Sequence, residues 1–133
     1  MNKNYGFIAP EVVFEDYWLG SGKLGSVVLN DIGDWKSYLP IFEYQNKGSE
    51  TNACVSFATL SALEILHKFL YASESNYSDR FTAKLSGTDP ATGGNTPKKV
   101  ADTIRHSGTV PETEWPFDDS SLENFYKDIP QRL

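Results

Sequence analysis

One cysteine, Cys54, stands at the mouth of a long apolar segment in "QNKGSETNACVSFATLSALEILHKFL", residues 45–70. A thiol attacks as its thiolate, and a helix N-terminus favours the anion through unpaired N–H groups and aligned peptide dipoles. The alternative is a buried thiol at the start of a helix, because free cysteine is among the most buried residue types. Gln45 lies nine residues before Cys54, across a Gly48-Ser49 loop. Its amide, beside the Cys54 N–H, would make an oxyanion hole for acyl transfer. Glu64, ten residues after Cys54, is the one acid in the middle of the apolar segment, where burial demands a partner.

Positioning these groups is the task of the surrounding elements. Val55, Ala58, Ala62, Ile65 or Leu66, and Phe69 recur at three- and four-residue steps, with Leu60, Leu63 and Leu70 broadening the face. This predicts a helix buried on most sides, its first turn capped by Thr51 or Asn52. "SESNYSD" at 73–79 breaks it, and "LSGTDPATGGNTP" at 85–97 reads as a loop. A second helix follows with Pro97 in its first turn, an apolar stripe of Val100, Ala101 and Ile104, and Gly108 at its end. "VPETEWPF" reads as extended, its aromatics as core, and "SSLENFYKDIPQRL" as the start of another short helix. Residues 1–40, punctuated by Pro10, Gly20, Gly22, Gly25, Gly33 and Pro40, read as an extended arm with a short β-like run at 25–30.

Composition narrows the function classes. The 133 residues suit one domain, and eight Phe, seven Tyr and three Trp supply the apolar surface that disordered chains lack. The formal charge is −6 and the basic residues are scattered, which argues against nucleic acid as a partner. The N-terminal stretch holds no apolar run suited to a signal peptide or membrane span. One cysteine forbids an internal disulfide and suits a reducing compartment. "GTDPATGGNTPKK" lacks the G-K-[ST] ending of a phosphate loop, and the carboxylate runs lack metal-ligand spacing, so neither cofactor nor metal is expected.

Several stretches, in order, resemble the papain-like cysteine peptidases, from about Trp35 to Phe117. "YQNKGSETNACVSFATLSALE" resembles that family's Gln, glycine-containing loop, small residue and Cys at the start of the central helix. Ala53 stands in the small-residue place and Glu64 in that of the helix glutamate. "GTDPATGG" resembles the loop whose paired glycines hold substrate backbone, and "SGTVPETEWPF" the segment that closes the helical half. The resemblance implies Cys54 and Gln45 as catalytic residues and Gly93, Gly94, Thr96 and Pro97 as substrate-binding residues, acting on a peptide or protein. The disulfide-free branch it resembles implies a cytoplasmic or virion-associated protein. The usual C-G-[SA]-C-[WY] signature is absent, since the chain reads Glu50, Thr51, Asn52, Ala53, Cys54, Val55. The interval from Gln45 to Cys54 is also longer than usual, so Gln45 reaches the oxyanion position only if "NKGSETN" bulges.

A cysteine peptidase needs a base to hold the thiolate and protonate the leaving amine. The family's His and Asn come about 130–150 residues after the Cys, whereas 79 residues follow Cys54. His67 sits thirteen residues along the same helix, roughly 20 Å from Cys54 and out of reach. His106 suits a cation or cap at the end of the second helix. The expected architecture is therefore α+β, chiefly the helical half of a papain-like fold. It divides into an N-terminal arm (1–40), a helical half domain (41–118) and a C-terminal segment (119–133) leading to a second half. A second polypeptide or C-terminal half would supply the His and its Asn or Asp. A cleaved enzyme, a truncated chain and a non-catalytic interaction module of a larger assembly are the three forms such a sequence can take.

Overall fold

The structure is a computed structural model that describes residues 6–13, 32–91 and 93–133. Among the described residues it is a small, mostly helical body of four α-helices and one 3-10 turn. These are η1 (Lys36–Tyr38), α1 (Cys54–Tyr71), α2 (Asp79–Leu85), α3 (Pro97–Ser107) and α4 (Leu122–Phe125). Of the α+β expectation the helical part is plain and the β part slight: among the described residues pairing is limited to isolated bridges, Phe7 with Asn95, Tyr77 with Pro111 and Asp89 with Gly94. The β-like run at 25–30 and most of the expected arm lie outside the described residues.

α1 runs 18 residues from Cys54 and ends on Ala72, whose φ of 52° is left-handed and whose N–H returns to the Lys68 carbonyl. Neither Thr51 nor Asn52 caps it. Ala53 holds the cap position without a side-chain acceptor, while Thr51 Oγ1 donates to the Gln45 carbonyl and Asn52 Nδ2 to that of Pro90. The other helices begin on hydroxyl caps: Ser78, Thr96 and Ser121 accept from the N–H groups of Phe81, Lys99 and Asn124. α1 is also less enclosed than its sequence suggests. Val55, Ser56, Leu60 and Glu64 are buried, whereas Ala58, Ala62, Leu66 and Leu70 face outward.

α2 has no counterpart among the predicted elements, and it organises the centre. Phe81 and Ala83 are buried on it, and Ala83 joins Ala53 and Phe125 in the innermost cluster, surrounded by Phe57, Phe117 and Tyr126. Phe117 meets both Phe57 and Phe125 edge to face at 5.6 Å between centroids. Residues 112–114 form a turn rather than the expected extended run, and the turn lowers Trp115 into the core. On α3, Val100 is buried but Ala101 is exposed, so the stripe is narrower than its apolar residues imply. Trp35, Tyr38 and Phe69 stack around η1 and close the far end of α1.

Candidate active site around Cys54

Cys54 is the first residue of α1 and is partly exposed. The chain reaches it through Asn52, a non-glycine residue at φ 54°, a conformation that asparagine tolerates better than most. Two bonds set this approach. The Asn52 N–H donates to Glu50 Oε1 at 3.3 Å, and Asn52 Nδ2 donates to Pro90 O at 3.0 Å, tying the helix start to the glycine loop.

The loop between Gln45 and Cys54 folds back on itself. Thr51 Oγ1 donates to Gln45 O at 3.0 Å across six residues, and residues 47–49 bend outward between them. The Gly48 N–H donates to Asp119 Oδ2 at 2.7 Å, anchoring the outer part of the loop to the C-terminal segment. Tyr126 supports the same place, its hydroxyl donating to the Thr51 carbonyl. Gln45 itself lines a groove of about 480 Å³ together with Phe42, Tyr44, Phe57, Ala58 and Ser61.

Gly93 and Gly94 sit in a tight turn, with φ of 103° and 113° and both N–H groups donating to the Asp89 carbonyl. Asn95 holds this turn from inside. Its Nδ2 donates to Ser86 O, Ser86 Oγ and Thr88 Oγ1, and its Oδ1 accepts from the Thr96 N–H. Thr96 caps α3 and Pro97 occupies the first position of that helix. Thr96 lines a separate cavity of about 550 Å³ with Pro10, Val13, Lys99 and His106. The structure thus brings Cys54, the Gln45 main chain and the Gly93–Gly94 turn to one end of the molecule, and sets the Thr96 side chain to the α3 side.

The electrostatics do not make Cys54 a thiolate. Burial and the Glu50 carboxylate push its thiol above the ordinary 9.0, and the N–H groups of Val55 and Cys54, which pull downward, are outweighed. Neither histidine offsets this. His67 Nδ1 lies 3.3 Å from Ser73 O beyond the last turn of α1, and His106 Nδ1 lies 2.8 Å from Asp102 O on α3.

A set of carboxyl groups forms a second electrostatic feature. Glu64 accepts from the Tyr77 N–H at 2.8 Å, the partner that its burial required, and desolvation with Glu43 and Glu74 nearby raises its pKa. Asp79 is pushed up to about 9 by burial and by its hydrogen bond and charge repulsion with Glu43. Glu112 is pushed up to about 7, mainly by burial. Among the described residues no group of three or more His, Cys, Asp and Glu side chains is arranged to hold a metal ion.

Sequence reasoning missed four positioning residues: Asp119, Asn95, Asp79 and Arg80. Only Asn95, directly after two glycines, carried a local signal; the others act through partners distant in the chain. No family model, no curated protein and no solved structure matches this chain. Among the described residues no helix is long and apolar enough to cross a membrane.

Proposed function

We propose that this chain is the helical half of a papain-like cysteine peptidase, hydrolysing peptide bonds with Cys54 as nucleophile. The observation that carries the reading is the placement of Cys54 as the first residue of an 18-residue helix that has no side-chain cap. Its first-turn N–H groups therefore have no competing side-chain acceptor. The bond from Asn52 to Pro90 ties this helix start to the loop that carries Gly93 and Gly94.

On this reading Cys54 Sγ attacks the scissile carbonyl. The Cys54 N–H and the Gln45 amide stabilise the oxyanion, and Gly93 and Gly94 pair with substrate backbone once their N–H groups leave the Asp89 carbonyl, to which both donate here, with Thr96 and Pro97 next in the chain. The histidine and its orienting Asn or Asp come from a second polypeptide or a further segment. A histidine brought next to Cys54 would take the thiol proton, and the resulting cation would hold the thiolate that burial and Glu50 now disfavour. The groove between α1 and residues 39–46 suits the docking of that second part, since Leu39, Ile41, Phe42 and Tyr44 are all exposed on it.

The test is peptide hydrolysis by the assembly purified from its native source, with its components weighed by denaturing mass spectrometry. Cys54→Ala is expected to lower hydrolysis at least about 10³-fold, to the residual level left by binding and the oxyanion hole. Hydrolysis undiminished by that substitution would end the proposal. A non-catalytic interaction module is the second reading, favoured by the raised thiol pKa. It predicts a stoichiometric partner with no histidine near Cys54 Sγ.

A further inference from the structure

Residues 39–46 run beside α1 and carry Gln45, yet apolar burial does not hold them, since Leu39, Ile41, Phe42 and Tyr44 are all exposed. One end is fixed by the stack of Trp35 and Tyr38 on Phe69 and by Lys68 Nζ, 3.5 Å from Leu39 O. The other end is fixed by the bond from Thr51 Oγ1 to Gln45 O. Between these anchors, among the described residues, Glu43 makes the segment's hydrogen bonds to the rest of the body. Its Oε1 accepts from Asn76 Nδ2 at 3.0 Å, and its carboxyl group is hydrogen-bonded to that of Asp79, the first residue of α2.

Two carboxyl groups hydrogen-bond to each other only while one carries a proton, because a carboxylate accepts and cannot donate. Asp79 is buried and Glu43 is exposed, so the pair has one fixed member and one in contact with water. The charges facing it are of the same sign. Glu64 on α1 and Glu112 in the 112–114 turn both act on Asp79, and Glu43, Glu64 and Glu74 line the cavity of about 230 Å³ beside the segment. The neighbouring cations are engaged elsewhere: Lys68 Nζ lies 2.6 Å from Glu74, Arg80 donates to the carbonyls of Pro116, Asn124 and Phe125, and Lys84 reaches Asp128. His67 packs on the rings of Tyr71 and Tyr77. Without the shared proton, Glu43 and Asp79 are like charges in contact, and Glu43 is the one free to leave.

We propose that Glu43 and Asp79 form a proton-operated latch: sharing one proton, they hold residues 39–46 against α1 and α2, and loss of that proton releases the segment, Gln45 included. The latch does not depend on the peptidase reading. Ionisation of Glu112, raised to about 7, adds a further negative charge beside the pair, and the proton on Asp79 is lost as pH rises towards about 9. The segment is therefore closed at pH 5.5 and released at pH 9.5.

The experiment measures the distance between nitroxide labels on Phe42→Cys and Ala101→Cys by electron resonance, in the full chain carrying Cys54→Ala. Both positions are exposed, one on the segment and one on α3. Carbon NMR of the side-chain carboxyl groups follows the proton in parallel. The population at altered distance is expected to rise about tenfold per pH unit below its midpoint, as loss of one proton requires, and to track the Asp79 carboxyl signal. Asp79→Asn and Glu43→Gln are each expected to keep the closed distance at pH 9.5, because an amide donates where the proton did. The exposed Glu43→Gln serves even if the buried substitution prevents folding. An unchanged distance in the parent after Asp79 has titrated would overturn the proposal, as would titration of Asp79 at the ordinary 3.8. The same distance change in Glu43→Gln, or loss of helical circular dichroism in step with it, would also overturn it, showing release without the latch or unfolding of the whole body. None of these readouts needs hydrolysis, so failure of the peptidase reading is detected separately.

Discussion

Cys54 takes its place from the helix and its ionisation from its neighbours. The N–H groups at the start of α1 favour the thiolate, yet burial and Glu50 outweigh them. Glu50→Gln is therefore expected to lower the inflection of the Cys54 alkylation profile against pH, and an upward shift would contradict the assignment. Asp79 makes a sharper case. Its carboxyl is raised from 3.8 to about 9, so the folded chain holds a proton that the unfolded chain releases above pH 3.8. Its stabilising contribution is complete below that pH and is lost progressively as pH rises towards 9. Glu112, raised from 4.5 to about 7, adds a loss over its own window. Thermal unfolding is thus expected at a lower temperature at pH 8.5 than at pH 5.5. Asp79→Asn, which keeps a donor for Glu43 without the charge, should raise stability at pH 8.5 by at least ~1 kcal/mol and flatten the profile. A steeper profile in that variant would refute the protonated Asp79.

Helices α1 and α2 hold the site through side chains that reach distant main chain. Arg80 is buried against Trp115, with its guanidinium 4.7 Å from the ring centroid. It donates to the carbonyls of Phe125, Pro116 and Asn124, stitching α2 to α4. Arg80→Met would leave those carbonyls without their donor and is expected to cost about 3 kcal/mol in urea unfolding. Arg80→Lys should recover part of the loss, because an ammonium keeps the charge but not the planar fork. Asp119 works at the rim, where Asp119→Ala should speed amide exchange at Gly48 while changing stability by no more than about 1 kcal/mol. Of these elements, α3 was legible from Pro97 and Gly108, which are local signals, and α4 falls within the stretch read as the start of a short helix. α2 was not legible, since its seven residues make only about two turns, short of the roughly 11-residue window over which a helical period stands out.

At the scale of the molecule, the uncovered side of α1 is the main feature. Ile41 is 82% and Phe42 76% exposed beside the groove that Gln45 lines, and Leu66, Leu70 and Tyr71 continue the apolar surface along the helix. Carboxylates of Glu43, Glu64 and Glu74 line the adjoining cavity of about 230 Å³. Ile41→Asp combined with Phe42→Asp should leave stability within about 0.5 kcal/mol, since neither side chain is buried. If a second component supplies the histidine, as the proposed function requires, the same pair should abolish co-purification with it. Retained association would move the docking surface elsewhere. The C-terminal segment is not a loose extension of this body, because Phe125 is fully buried with Ala53 and Ala83.

Residue order alone determined that an apolar helix runs on from Cys54, although not its cap, that polar residues at 73–79 interrupt it, and that Pro97 and Gly108 bound α3. Each follows from a cap, a breaker or a three-to-four-residue period, all settled within about one or two helical turns. It also placed Glu64 in a buried setting that needs a partner. Only the tertiary structure decided that the partner is the Tyr77 N–H, that burial and Glu43 raise the Asp79 carboxyl, and that residues 6–8 pair with Asn95 beside the glycine turn. It likewise decided that α1 is uncovered on one side, where the apolar pattern predicted enclosure. An apolar pattern shows which residues leave water favourably, but the segments that cover them arrive from far along the chain. Arg80 meets Phe125 across 45 residues and Tyr126 meets Thr51 across 75, separations over which no local rule operates.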